Sequence, residues 1–351
     1  MHRRWILHFF TATITVIVFV SLFNYGVNPY NTFDLKPGVL NGYKKRVLSD
    51  RMTKFYEAVH LEPKTVMMGT SRIGLFNADL LKKYAPSPIY NLSLAGSSIK
   101  EQSLYLKSMI ERFEIKTIVW SMDFFAFNPS KPLNQSFEEG RLKETLYWRD
   151  IQLSLLSFKT VEKSINTIKD SLKNSFDPSC ALFEKNEYRT MQGQAYTAEE
   201  VALKIKTTMQ MYAASNEFLH SSAFKDPHSI EAGIEHVRQI RDLCLTHQID
   251  LRIYLSPVYA EHQKMIYDLS LKKSYERWKE AMAGLMPYTD FSTYNTITTE
   301  PLNFRDSSHV ISDIGALIFG RVFHDTAMEI PHDFGLSIPY REAVTFTGST
   351  L

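Results

Sequence analysis

Ser71, Asp306 and His309 are the residues whose types and spacing could do chemistry together. Ser71 sits in Gly69-Thr70-Ser71-Arg72, directly after the apolar run Thr65 to Met68. A serine hydroxyl is a weak nucleophile at neutral pH and needs an adjacent base. At the turn after a strand it is exposed, and the following backbone N–H groups can face a developing oxyanion. The alternative is a serine that only caps a helix start. Asp306-Ser307-Ser308-His309 offers a carboxylate three residues before an imidazole. At that spacing the carboxylate can hold one ring nitrogen and leave the other free as a base. The alternative is an incidental pair on a solvated loop.

The elements that must bring these residues together can be read along the chain. Three units of apolar strand, polar turn and amphipathic helix follow one another: Thr65–Met68, Ile89–Leu94 and Thr117–Met122, with Ile99–Phe113 at helical spacing before the third. This rhythm predicts an α/β fold with a parallel sheet. It breaks over 129–228, which holds long amphipathic stretches (Trp148 to Leu172, Thr197 to Leu219) and predicts a helical insertion, a lid or a docking surface. It resumes with a helix over Ile230–His247, a strand over Leu251–Leu255, helix over Ala260–Met286 and a weak strand over Tyr288–Tyr294. Ser312 is read as the cap of a last helix, Asp313–Phe323. The expected organisation is thus an α/β domain in two segments, 60–128 and 229–330, around the insertion. Residues 28–59 are a membrane-proximal linker and helix, and the tail 331–351 carries no pattern.

Residues 1–27 read as a short stub and a membrane signal-anchor. No Asp, Glu, Lys or Arg occurs between Arg4 and Asp34, and about 20 apolar residues suffice to cross a bilayer. No Ala-x-Ala cleavage site ends the run. A buried soluble helix is the alternative. Arg3 and Arg4 favour a cytoplasmic N-terminus and a body outside, periplasmic or extracytoplasmic, although Lys36, Lys44, Lys45 and Arg46 weaken that bias.

Composition excludes several classes. With 40 basic and 38 acidic residues, a net charge of +2 and no polybasic run, a nucleic-acid partner is not expected. Cys180 and Cys244 have no metal-ligand spacing and are either one disulfide or two buried thiols. His220, His228 and His236 show no metal spacing either. No nucleotide-binding glycine pattern occurs, so neither metal nor cofactor is expected. Glu261 and His262 follow Ser256-Pro257 near a strand end and could reach the cleft; the other reading is a surface pair at a helix N-terminus.

Three motifs in order carry a resemblance. Gly69-x-Ser71, Asn91-x-Ser-x-x-Gly96 and Asp306-x-x-His309 resemble three of the conserved blocks of the SGNH (GDSL-like) hydrolase superfamily. The match covers roughly 60–128 and 230–325 and omits the insertion. The resemblance implies a flavodoxin-like three-layer sandwich, Ser71 as nucleophile, His309 as base and Asp306 as its orienting carboxylate. It also implies an oxyanion hole of the Ser71 and Gly96 backbone N–H groups. Two departures stand out. The family's Gly-Asp-Ser-Leu is Gly-Thr-Ser-Arg here. Met122-Asp123 stands where an Asn-Asp pair is expected, so one side-chain oxyanion donor is missing. Asn91 or Asn128 could fill that gap, and Arg72 and Asp123 could contact substrate, Arg72 through an anionic group or by pairing with a carboxylate. An anchored chain with these departures is similar to the branch acting in cell-envelope and exopolysaccharide acylation, such as alginate O-acetyltransferase-like and teichoic-acid D-alanylation proteins. That implies an esterase or O-acyltransferase acting on an extracytoplasmic glycan or other acyl ester. The rival expectation is a catalytically weak scaffold or glycan-binding protein in a polysaccharide export or membrane acyltransferase complex.

Overall fold

Strand and helix alternate where the apolar periodicity alternates. The computed structural model describes residues 2–42, 51–174 and 197–341. Helices α1 (His2–Val27) and α2 (Arg51–Leu61) precede β1 (Thr65–Met68), the short α3 (Ser71–Gly74), β2 (Ile89–Asn91), α4 (Ile99–Arg112) and β3 (Thr117–Met122). Then follow α5 (Glu139–Lys143), α6 (Trp148–Leu156), α7 (Phe158–Asn174), α8 (Ala198–Ala214) and α9 (Glu231–Thr246). The chain closes with β4 (Asp250–Leu255), α10 (Ala260–Asp268), α11 (Lys272–Ala283), β5 (Tyr288–Asp290), α12 (Ser312–Val322) and β6 (Leu336–Ile338).

The six strands form one sheet in the order β2-β1-β3-β4-β5-β6. All neighbours are parallel except β5 and β6, which are antiparallel. Side chains alternate between the two faces of a strand. Met67, Val119 and Tyr254 face one way, into a cluster with Phe76, Phe291, Ile314, Ile318 and Phe319. On the other face Trp120 donates its indole N–H to Gln102 of α4 at 2.7 Å, and α4 packs on α9. Burying each of these large apolar side chains contributes roughly 1.5–3 kcal/mol. Burial on both faces explains why β1 and β3 read as unbroken apolar runs.

The chain divides into two compact units. Unit 1 is Met1–Glu62 with Ser136–Gly193, and unit 2 is Pro63–Gln135 with Gln194–Leu351. The stretch read as one helical insertion is therefore shared: α5, α6 and α7 belong to the unit of the apolar N-terminal helix, and α8 belongs to the sheet's unit. Within unit 1, Asp150 organises a buried cluster. It accepts from Arg141 Nε at 2.6 Å and Nη2 at 2.8 Å, and from the Tyr56 hydroxyl at 3.0 Å.

Helix α1 is long and apolar enough to cross a membrane over Arg3–Val27, and no residue of its most apolar eighteen-residue stretch is buried, whereas Asn24 and Val27 near its end are. Elsewhere the boundaries shift. Trp148 to Leu172 is two helices, α6 and α7, and Ala260–Met286 is also two, α10 and α11. The last helix opens at Ser312 with Ile311 in the cap position and no side-chain cap, so Ser312 is its first residue rather than its cap. Strand β6 lies in the tail read as patternless. Three residues with a single alternation carry too little periodicity to signal an edge strand. Lys44, Lys45, Arg46 and the pairing of Cys180 fall outside the described residues; Cys244 is buried.

Candidate active site

The site grows from the C-terminal edge of the parallel strands. Where β1 ends, the backbone turns at Gly69, with φ +152°. A Cβ there would meet Ser121 O at 2.9 Å and Ile73 Cγ2 at 2.8 Å, so only glycine lets β1 leave the sheet so close to β3. Thr70 caps the next turn by accepting from Arg72 N at 3.4 Å, and Ser71 opens α3. The serine is thus the first residue of the turn, and the capping role falls to its neighbour.

Asp306 and His309 sit on a loop closed at its neck. Phe304 and Val310 form an antiparallel bridge, and Arg305 N donates to His309 O at 2.8 Å. Inside it, Asp306 Oδ1 accepts from the N–H groups of Ser308 at 2.7 Å and His309 at 3.0 Å. Its Oδ2 lies 2.8 Å from His309 Nδ1. Burial raises the Asp306 pKa, but the His309 bond and the two backbone donors outweigh it and hold the carboxyl below its usual value. An ionised carboxylate only accepts, so Nδ1 carries the proton of the neutral ring. Nε2 is then the acceptor, and it lies 2.8 Å from Ser71 Oγ. The two stand 238 positions apart in the chain. The side chains of Asp306 and His309 keep about a fifth of their surface open to solvent. The arrangement can take a proton from Ser71 and hold the resulting imidazolium.

A buried polar network braces this triad. Arg72 Nη1 lies 2.8 Å from Asp123 Oδ1, and the Thr70 hydroxyl donates to the other Asp123 oxygen. Burial disfavours the Arg72 charge, but the Asp123 carboxylate and Tyr212 together more than offset this and the pKa stands above its ordinary value. Arg72 Nε donates to Ser308 Oγ at 3.0 Å, and the Tyr212 hydroxyl meets the same oxygen at 3.0 Å. His262 Nδ1 lies 2.9 Å from Ser307 Oγ, and Tyr259 N donates to Ser307 O at 3.1 Å. Both serines between Asp306 and His309 are fully buried anchors for the loop. His262 is buried as well, which pushes its pKa down to about 3, with Arg72 and His309 acting in the same direction and Asp306 against it.

The structure therefore brings Ser71, His309 and Asp306 together and gives the other candidates different work. Arg72 and Asp123 pair with each other below the surface, the carboxylate partner that the sequence offered as one use of Arg72. Asn91 donates to Ile73 O at 3.1 Å and Phe76 O at 2.9 Å, fixing the turn that carries Ser71. Asn128 donates to the carbonyls of Asn216 and Phe218, both at 2.8 Å. Both amides that could replace the missing oxyanion donor are thus engaged internally, and Met122 is buried. Gly96 lies beyond β2 at the same edge of the sheet, with φ +64° and open space where a Cβ would point. His262 is a core residue rather than half of a surface pair. Tyr212 carried no sequence signal of a role here; His262 was visible only by its place near a strand end, and Ser307 and Ser308 only by standing between Asp306 and His309. Among the described residues, no group of three His, Cys, Asp or Glu side chains could hold a metal ion.

Compared with known proteins, the chain matches no family model and no curated protein.

Proposed function

We propose that unit 2 is a serine acyl-ester enzyme of SGNH type, an esterase or O-acyltransferase. The observation that carries the reading is the chain Ser71 Oγ to His309 Nε2 to Asp306, with both links at 2.8 Å. The strand order 2-1-3-4-5 supports a flavodoxin-like, doubly wound sheet, whose ligands sit at the carboxyl ends of the strands. Ser71 attacks the ester carbonyl while His309 takes its proton. The tetrahedral intermediate collapses as the carbonyl–alkoxy bond breaks, and His309 returns the proton to the leaving alcohol. The acyl group stays on Ser71. A second hydroxyl then gives its proton to His309 and attacks the acyl carbonyl, and the intermediate collapses as the bond to Ser71 Oγ breaks and His309 returns the proton to Ser71; that hydroxyl belongs to water in an esterase and to a glycan or other polyol in a transferase. The Ser71 and Gly96 backbone N–H groups face the oxyanion.

The apolar α1, with Arg3 and Arg4 in its first turn, supports an anchored protein whose body lies outside the cytoplasm. The substrate class that fits is an acylated envelope glycan or another extracytoplasmic acyl ester.

One observation favours a second reading. Met122 stands where a side-chain donor would complete the oxyanion hole, and loss of one such donor costs about 10²–10³ in rate. A catalytically weak scaffold in a polysaccharide export or acylation complex accommodates that loss. Labelling with a fluorophosphonate separates the readings, using the full chain in detergent. The enzyme reading expects covalent modification of the wild type and none in Ser71→Ala or His309→Ala. No labelling of well-folded wild type would sink the enzyme reading in favour of the scaffold.

A further inference from the structure

Helix α7 of unit 1 is built the wrong way round for a helix in water. Its buried stripe is small and polar: Thr160, Ser164, Thr167 and Ser171. Beside that stripe Phe158 is 95% exposed, Ile165 43% and Leu172 47%, each seven residues from the next. Val161 and Ile168 fall between them and are half-buried. Helix α6 adds exposed Leu153 and Leu156. A surface helix of a globular protein buries its apolar stripe instead.

Asn24 fixes the level of these helices along α1. Its Nδ2 donates to Leu155 O of α6 at 2.9 Å, and its Oδ1 accepts from Ser164 Oγ of α7 at 2.9 Å. From Trp5, the first residue after Arg3 and Arg4, to Asn24 is twenty residues. At 1.5 Å per residue that is about 30 Å, the thickness of a bilayer's hydrocarbon core. Asn24 therefore stands where α1 would leave the hydrocarbon, and α6 and α7 are pinned at that boundary. The remaining flank of α7 carries exposed Lys159, Lys169 and Lys173 against Glu162 and Asp170, while Lys163 is half-buried with its ammonium 3.9 Å from the centre of the Tyr30 ring. An apolar stripe beside a lysine-rich face is the pattern of a helix lying in a membrane interface.

We propose that α6 and α7 lie in the bilayer surface, with Phe158, Ile165 and Leu172 seated at the headgroup–acyl boundary and the lysines toward the lipid phosphates. The proposal rests on α1 spanning the membrane and is independent of the chemistry at Ser71. It makes unit 1 a membrane-seated platform rather than a single tether.

The test uses the full chain in nanodiscs of phosphatidylcholine and phosphatidylglycerol, with Cys180→Ala and Cys244→Ala as background. Single cysteines replace Phe158, Ile165, Leu172, Glu162, Lys169 and, inside α1, Val16, each labelled with bimane. Circular dichroism matching that of the parent checks each fold. With brominated acyl chains, bimane at 158, 165, 172 and 16 should lose about threefold or more of its emission, and bimane at 162 and 169 far less. Quenching at 16 with none at 158, 165 or 172 overturns the platform and leaves the anchor standing. No quenching at 16 overturns both. Labels at 158 and 165 shielded from lipid and from aqueous iodide, with crosslinking between copies through Phe158→Cys, would mean that a second copy covers the stripe and would overturn the proposal.

Discussion

His262 should make unit 2 acid-sensitive in a window set by its own burial. In the fold the ring is neutral, with its pKa pushed down to about 3. In the unfolded chain a histidine takes up a proton near pH 6.5. Between those values only the unfolded chain binds the extra proton, so the stability held above pH ~6.5 is lost as pH falls toward 3. At full effect one such group changes stability by about 1.4 kcal/mol per pH unit. Integrated from pH 7.5 to pH 5, His262 alone should remove about 2 kcal/mol. The perturbation is His262→Asn, whose amide can still reach Ser307 Oγ but does not titrate. The assay is urea unfolding of the full chain in detergent at several pH values, followed by the buried Trp120 and Trp278, with Trp5 and Trp148 replaced by Phe. His262→Asn should be less stable at pH 7.5, because a ring is lost from a packed site. Its stability should then decline less steeply, so that the gap to wild type narrows by about 2 kcal/mol at pH 5. Parallel curves would refute the reasoning, for they would mean that His262 titrates in the fold as it does in the unfolded chain.

Two other perturbations probe the same region. Arg72→Met should cost about 3–5 kcal/mol in urea unfolding, because it strands the Asp123 carboxylate in the interior, while Arg72→Met with Asp123→Leu should recover much of that loss. An equal loss in the single and double variants would show that the ion pair is not what Arg72 contributes. Asp306→Asn can keep the two backbone bonds through its amide oxygen but favours the wrong His309 tautomer. Fluorophosphonate labelling should slow by about 10⁴ while the urea midpoint moves little.

The strands were legible because their signals are local. Thr65–Met68 and Thr117–Met122 read as strands from consecutive apolar residues, and Gly69 and the Asp123 turn mark their ends. The helix of 230–247 was legible from apolar spacing. Strand β6 was not, since Leu336–Ile338 pairs only along one edge, with Leu336 and Ser337 exposed and Ile338 half-buried. The stretch 129–228 is helical as read, but that its helices fall in two compact units was not legible, for a different reason. Amphipathic periodicity says that a helix has a face to bury but not against what. Helix α7 shows the limit of that signal, since its buried face is Thr160, Ser164, Thr167 and Ser171 rather than its apolar one.

By itself the sequence determined the α/β rhythm, the apolar helix at the N-terminus and the chemical types of Ser71, Asp306 and His309. The fold alone decided their partners. Whether Ser71 meets His309 depends on which strand ends lie side by side, for the two stand 238 positions apart in the chain. Arg72 and Asp123 were open to a substrate in the sequence; the parallel pairing of β1 with β3 brings them within 2.8 Å of each other instead. Tyr212 and His262 became supports of the Asp306–His309 loop only because α8 and α10 pack over Ser307 and Ser308. Propensity and periodicity act over a few residues. Hydrogen bonds between distant side chains exist only once the sheet order has set their distance.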